Sequence, residues 1–335
     1  MDVSTFCRQS RVIVVAGKGG VGKTTTTAAL ALVAARAGLS TLVVELEGRD
    51  GLPAAFGRAG ALGYDAELLA PGEEGGEVRA RRLTPDDALV EYLVDHGLKR
   101  VSKRLASSGV VDIVATAIPG IRDILVLGKV KQLERLGTHD LIVVDAPATG
   151  HAMTFLTSAR GLLDAARSGP VRAQAEEVVE MLTDPSRSQV ILVTLPEEMP
   201  VNEVVDTAYA LEDRVGVSLG PVVVNGVIDP LPAGSGDIDA LALSEKVVLA
   251  PDVLAAARSA ALFRERRRAL QAEQLARMAA SLPLPQLLLP DLGSRAVGPQ
   301  ELDRLAGSLW RGIEGLDGAG DAAECHGRPA PGSQS

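Results

Sequence analysis

The chain has 335 residues, enough for one large α/β domain or two smaller ones, and we expect a single domain over residues 1–316. Its formal charge of -9 and pI near 5.1 offer no basic surface to a nucleic-acid backbone, so nucleic acid is not an expected partner. The two cysteines lie at opposite ends of the chain, which excludes a CxxC zinc pair and a disulfide framework. No run reaches the ~18 apolar residues that a spanning helix needs, so we expect a cytoplasmic protein without an integral membrane segment.

Short β-branched runs alternate with helical segments along the chain. This pattern is typical of an α/β fold with a mostly parallel, doubly wound sheet covered by helices on both faces. Helical spacing of apolar residues over 84–136 predicts an inserted helical subdomain, and residues 155–187 and 234–282 are also predicted to be mostly helical. The predicted strands are residues 11–17, 40–46, 77–83, 140–146, 189–195, 220–226 and 285–290.

The C-terminal part divides into a helix and a tail. Leu302, Leu305, Leu309 and Ile313 form an apolar stripe, whose opposite face mixes acids with arginines. A membrane-seeking helix would have a basic polar face, so docking on the parent domain is favoured. The Gly-, Ala-, Pro- and Ser-rich residues 317–335 have little to bury and are predicted to be disordered.

A glycine-rich loop follows the first strand and carries the main functional signal. Gly17-x-x-x-x-Gly22-Lys23-Thr24 fits the P-loop pattern, and it opens into a helix that ends at Gly38. Glycines let successive backbone N–H groups turn toward a phosphate, Lys23 reaches the outer phosphates, and Thr24 offers its hydroxyl to Mg²⁺. The predicted phosphate-binding residues are Gly17, Lys18, Gly19, Gly20, Val21, Gly22, Lys23, Thr24 and Thr25.

A second signal lies at the end of the strand at 140–146. Asp145 ends this apolar run, which is where a Walker B acid holds a Mg²⁺ water. An Asp in that place is also a common turn former, and the P-loop is what favours the functional interpretation. Thr24 and Asp145 are therefore the predicted magnesium residues, and ATP and Mg²⁺ the predicted cofactors.

The early lysine of the loop, Lys18, makes it a KGGxGKT loop, the deviant Walker A form of P-loop NTPases. This loop resembles that of the dimerising ATPases that include the MinD/ParA group and the arsenical-pump and tail-anchored-protein targeting ATPases. The stretch "DAPATGH" (145–151) is similar to the switch of the last two, which the MinD/ParA group lacks. The resemblance implies an ATPase that dimerises around ATP, with Lys18 acting on the partner's nucleotide and Thr149, Gly150 and His151 forming a switch.

Softer matches extend the resemblance from Arg11 to about Leu309. The segment at 116–133 resembles the one that links nucleotide state to the helical lobe, and it implies a protein client for that lobe. Asn225 matches the residue that reads adenine, and its amide has the donor and acceptor an adenine edge needs. Pro290 matches the proline that packs on the base. Single-unit, cysteine-poor actinobacterial members are especially similar, so a homodimer and a heterodimer with a paralogue both stay open.

The first switch departs from the family. Glu47 stands where the family has the Asp that positions the attacking water, and Asp50 is a second candidate for that role. The extra methylene moves the carboxylate by roughly 1.5 Å, enough to slow turnover. The cysteine sets for As(III) and zinc are missing, so neither ion is an expected ligand. A MinD/ParA-like spatial regulator and a nucleotide-gated scaffold with little hydrolysis are the alternative functions.

Overall fold

A computed structural model describes residues 1–46, 51–72, 74–95, 120–165, 168–230, 238–294 and 296–316. Within these residues eight strands form one sheet, in the order β3-β4-β2-β5-β1-β6-β7-β8. Neighbouring strands are parallel except β3 and β4, which are antiparallel. The doubly wound parallel fold predicted from the sequence is confirmed. The strands are β1 (Val12–Gly17), β2 (Ser40–Glu45), β3 (Glu67–Pro71), β4 (Glu77–Arg82), β5 (Leu141–Ala148), β6 (Ser188–Thr194), β7 (Val222–Val227) and β8 (Gln286–Pro290).

All seven predicted strands are present, and β3 is an addition to them. β3 begins with Glu67, ends with Pro71, and buries only Leu69 among its five residues. It lies at the edge of the sheet, where proline is tolerated and one side of the strand meets solvent. Such a strand lacks the long apolar run by which most of the others were predicted.

Eleven helices lie in the described part of the chain. Two of them lie within 84–136 and two within 234–282. Residues 155–187 hold most of one helix and all of another, as expected for mostly helical stretches. Residues 96–119 lie outside the described residues, and the division into a domain and a subdomain stays a prediction. The helices are α1 (Val3–Arg8), α2 (Lys23–Arg36), α3 (Gly51–Ala55), α4 (Pro85–Asp95), α5 (Ile121–Leu136), α6 (Thr149–Ala165), α7 (Pro170–Thr183), α8 (Glu198–Val215), α9 (Ile238–Ser244), α10 (Pro251–Ser281) and α11 (Pro299–Glu314).

Two hydrophobic cores lie on opposite faces of the sheet. Alternation along β1 sends Val12 and Val14 into one core and Ile13 and Val15 into the other. The first core is covered by α5, α6, α7 and α8, the second by α1, α2, α3 and α11. Burial on both faces explains why the central strands are almost entirely apolar.

Helix α11 docks on the second core, as its stripe predicted. Leu302, Leu305, Leu309 and Ile313 are buried, and the helix packs against α2 and β8. Arg264, Arg266 and Arg267 of α10 are exposed. No helix in the described ranges is both long and apolar enough to cross a membrane.

Candidate nucleotide site

The glycine-rich loop joins β1 to α2 at the carboxyl edge of the sheet. A Cβ atom at Gly17 would lie 2.3 Å from the carbonyl oxygen of Val193 on β6, so a side chain does not fit there. Gly20 and Gly22 have φ angles of 87° and 95°, a left-handed backbone that favours glycine. The path of the loop therefore requires glycine at these three positions.

The N-terminus of α2 suits an anion. Gly22 is its N-cap residue and supplies no side-chain oxygen, and the first turn holds no acidic residue. The N–H groups of that turn have no intrahelical acceptors, and the helix dipole places partial positive charge there. A phosphate at this end would accept those hydrogen bonds.

The two predicted magnesium residues meet at the start of α2. The Thr24 hydroxyl donates a hydrogen bond of 2.6 Å to Oδ2 of Asp145, and the Thr27 hydroxyl lies 3.5 Å from Oδ1. Asp145 is buried near the end of β5, beside β1 in the sheet. A hydroxyl and a carboxylate side by side are oxygen ligands of the kind Mg²⁺ takes, with the remaining positions left to water and phosphate oxygens.

The two lysines of the loop point in different directions. Lys23 turns back along the loop, and its Nζ donates to the carbonyl oxygen of Lys18 at 3.2 Å. Lys18 reaches toward α8, where its Nζ lies 2.7 Å from Oε2 of Glu203. The Lys18 and Glu203 side chains are 41% and 34% exposed, so solvent screens this ion pair and it is easily exchanged.

A carboxylate that sequence reasoning missed lies beside Asp145. Glu45 ends β2 and pairs in register with Asp145 of β5 and with Arg82 of β4. It is 2% exposed, which is rare for a glutamate. In the sequence, the buried run "TLVVE" ends on an acidic residue, as does the run that ends at Asp145.

Asn225, the predicted adenine residue, lies against the P-loop. Its side-chain amide donates to the carbonyl oxygen of Val21 at 2.9 Å. The backbone after it is held by the buried Gln271 of α10, which donates to the Gly226 carbonyl at 3.0 Å and accepts from the Ile228 N–H at 2.8 Å. Asn225 thus supports the phosphate loop, and its amide also carries a carbonyl oxygen and a second N–H.

Pro290 ends β8 and lines a cavity of about 580 Å³. The cavity lies between the chain after β7 and helix α11, with Val227, Arg304 and Arg311 among its lining residues. The structure therefore places Pro290 at the same edge of the sheet as Asn225, one strand further out.

Several predicted residues lie outside the described part of the chain. These are Glu47 and Asp50 of the first switch, and the segment before Gly120. Thr149, Gly150 and His151 form the first turn of α6, directly after β5, and their side chains are also outside the description. Ile121, Ile124 and Leu127 of α5 are buried.

In the described part of the chain, the candidate metal ligands are oxygen atoms, and the cysteine present is not a thiolate. Burial, followed by the negative charge of Asp2, raises the pKa of the Cys7 thiol to about 12, so it is protonated at neutral pH. Among the described residues, no three His, Cys, Asp or Glu side chains gather as a metal cluster. A magnesium ion held by Thr24 and Asp145 would therefore depend on phosphate oxygens and water for its other ligands.

A glycine-rich strand–loop–helix with a buried acid on the neighbouring strand defines a P-loop NTPase. The family model described as "Anion-transporting ATPase" matches residues 10–167 and 165–241, more than half of the chain. The chain belongs to this family of ATPases, and it hydrolyses ATP. The resemblance inferred from the sequence motifs is confirmed.

Named relatives agree with this assignment. "ATPase BagA" of Mycobacterium tuberculosis is 35% identical over 308 residues, which cover 85% of this chain and 90% of the relative. A "Putative arsenical pump-driving ATPase" of Halobacterium salinarum is 27% identical over 330 residues, 93% of this chain and 46% of the relative. "ATPase get3" of Schizosaccharomyces japonicus is 33% identical over 144 residues, 43% of this chain and 42% of the relative.

Proposed function

We propose that the protein is a magnesium-dependent ATPase that closes as a dimer around ATP and couples hydrolysis to movement of a helical lobe that binds a protein client. The observation that carries the central part of this proposal, the magnesium-dependent ATPase, is the 2.6 Å contact between Thr24 and Asp145. The contact lies beside the glycine-rich loop that we propose binds the phosphates. These two residues are 121 positions apart in the chain. A structural turn at either position would not need them to meet.

Each residue has a separate task in the proposed reaction. The loop amides and Lys23 hold the phosphates, while Thr24 and Asp145 hold the metal. Bound magnesium would neutralise charge on the phosphates as the terminal bond breaks. Glu47 orients the attacking water, and turnover is slow because its carboxylate sits one methylene further from the backbone than that of an aspartate.

Lys18 is proposed to act across the dimer. In one protomer its ammonium is turned toward α8, where it forms a partly exposed ion pair with Glu203. A partner's nucleotide would offer a denser negative charge, and the exchange costs little because the pair is screened. A cation that arrives only on closure ties hydrolysis to assembly. The partner is a second copy of the chain or a paralogue.

The test of assembly is light scattering coupled to size exclusion, with Mg²⁺ and a non-hydrolysable ATP analogue. We expect a dimer with the analogue and a monomer with EDTA. Lys18→Ala should weaken the dimer, whereas Arg268→Ala, which removes an exposed cation of α10, should not. A wild-type protein that stays monomeric at saturating analogue would overturn the dimer, unless adding the paralogue restores it.

The test of a client uses Glu47→Gln to hold the closed state. Protein recovered with ATP but not with ADP would support a client, and recovery of the bait alone would contradict it. Sedimentation with liposomes and with DNA in the presence of ATP separates the spatial regulator, because that protein alone should pellet. The scaffold alternative predicts that Glu47→Asp leaves the hydrolysis rate unchanged, whereas we expect it to rise.

A further inference from the structure

Three charged residues form a row at the carboxyl edge of the sheet. Arg82 of β4, Glu45 of β2 and Asp145 of β5 are register partners on neighbouring parallel strands. Parallel strands lie ~4.8 Å apart, so the three Cα atoms are close neighbours.

Side chains at register positions of a sheet point to the same face. Val43 and Val143, two positions earlier, both belong to the core beneath α2, whereas Val44 and Val144 belong to the opposite core. Asp145 indeed points toward α2, where Thr24 and Thr27 contact it. Glu45 therefore projects to the face that carries the P-loop.

Burial makes this arrangement chemically informative. Glu45 is 2% exposed and Asp145 is 7% exposed, so neither carboxylate is fully hydrated. Two like charges on adjacent strands repel each other, and water does not screen them in a buried place. A divalent cation beside Asp145 would offset the repulsion between the two carboxylates.

We propose that Glu45 is an outer carboxylate of the magnesium site, accepting hydrogen bonds from water on the ion while Thr24 and Asp145 face the ion itself. Mg²⁺ gives up its water reluctantly and keeps several water ligands in proteins. Carboxylates that orient such ligands affect metal affinity almost as strongly as the ligands do. Arg82 flanks Glu45 on the other neighbouring strand. This inference rests on the proposed magnesium-dependent function.

The experiment measures metal binding directly. Mn²⁺, a paramagnetic substitute for Mg²⁺, is titrated into protein saturated with ADP and followed by electron paramagnetic resonance. We expect Glu45→Gln to weaken Mn²⁺ binding by at least about 10-fold. ADP binding in EDTA, measured by calorimetry, should be unchanged. The matched control is Glu77→Gln, which removes a carboxylate at the opposite end of β4.

Each outcome decides between the explanations. Unchanged Mn²⁺ affinity in Glu45→Gln overturns the inference, as does an equal loss of ADP binding in EDTA, because Glu45 would then only support the loop. If Glu45→Gln does not fold, Glu45→Asp keeps the charge and withdraws the carboxylate. The Glu45→Asp protein should bind Mn²⁺ at least about three-fold more weakly, and an unchanged affinity would overturn the proposed role of Glu45. A wild-type protein that binds no Mn²⁺ with ADP would instead overturn the proposed function.

Discussion

The two ends of the nucleotide site are built differently. At the proposed phosphate end the candidate binding groups are mainly backbone N–H groups, and Thr24 of α2 contacts Asp145 of β5. At the proposed base end the candidate groups are single side chains, and one N–H group of Asn225 is bonded to the P-loop carbonyl of Val21. Substitutions at the phosphate end should therefore affect the chemistry, and those at the base end should affect affinity and stability.

The largest effect is expected at Lys23. Lys23→Ala removes the cation proposed to hold the outer phosphates, and the hydrolysis rate at saturating ATP should fall by at least about 100-fold. Steady-state phosphate release measures it. Arg268→Ala, a loss of charge on exposed α10, is the control and should keep the wild-type rate. A Lys23→Ala protein with more than about a tenth of that rate would contradict the role.

The base end should respond in affinity. Asn225→Ala removes both the support of Val21 and the groups offered to adenine, so KM for ATP should rise about 10-fold while kcat changes less. Steady-state kinetics separate the two constants. Asn202→Ala, at an exposed position of α8, is the matched control. A fall in kcat at constant KM would contradict the expectation that the base end affects affinity and the phosphate end affects the chemistry.

Gln271 tests the support behind the base end. Gln271→Ala leaves the Ile228 N–H and the Gly226 carbonyl without their partner, so the free energy of unfolding should fall by about 1–3 kcal/mol. Urea denaturation measures it, with Gln300→Ala as the exposed control. No change in stability would contradict a structural role for this side chain.

The smallest effect lies far from both ends, between α5 and α7. Hydrogen bonding from Lys131 lowers the pKa of Glu177 below its ordinary value of 4.5, despite opposing desolvation. The pair's contribution to stability is therefore fully present above pH 4.5 and is lost as pH falls through the lower, folded-state pKa. Urea denaturation of wild type and Glu177→Gln should show a difference that is constant near neutrality and shrinks in acid. A difference that grows in acid would reverse the sign.

Features that depend on local pattern could be predicted from the sequence. The buried strands carry continuous β-branched runs, and the P-loop requires glycine at fixed spacing. The meeting of Thr24 and Asp145 was also predictable, because Thr24 follows β1, Asp145 lies near the end of β5, and the carboxyl ends of these parallel strands share one edge.

Features that depend on strand register or on contacts between distant elements could not be predicted. In the sequence Glu45 is an acid within the predicted strand 40–46, and only the sheet order places it between Arg82 and Asp145. Glu203 meets Lys18 only because α8 turns that face to the loop, 185 residues further along the chain. β3 was not predicted because an edge strand needs few apolar residues.

The most direct test of the account mixes two inactive variants, Lys18→Ala and Asp145→Asn. If Lys18 acts on the partner's nucleotide, each mixed dimer holds one site with its own Asp145 and a lysine from the other subunit. Equal amounts should then recover about a quarter of the wild-type hydrolysis rate, since half of the dimers are mixed and each has one complete site. A mixture no more active than the sum of the two variants measured separately would contradict a lysine shared across the dimer.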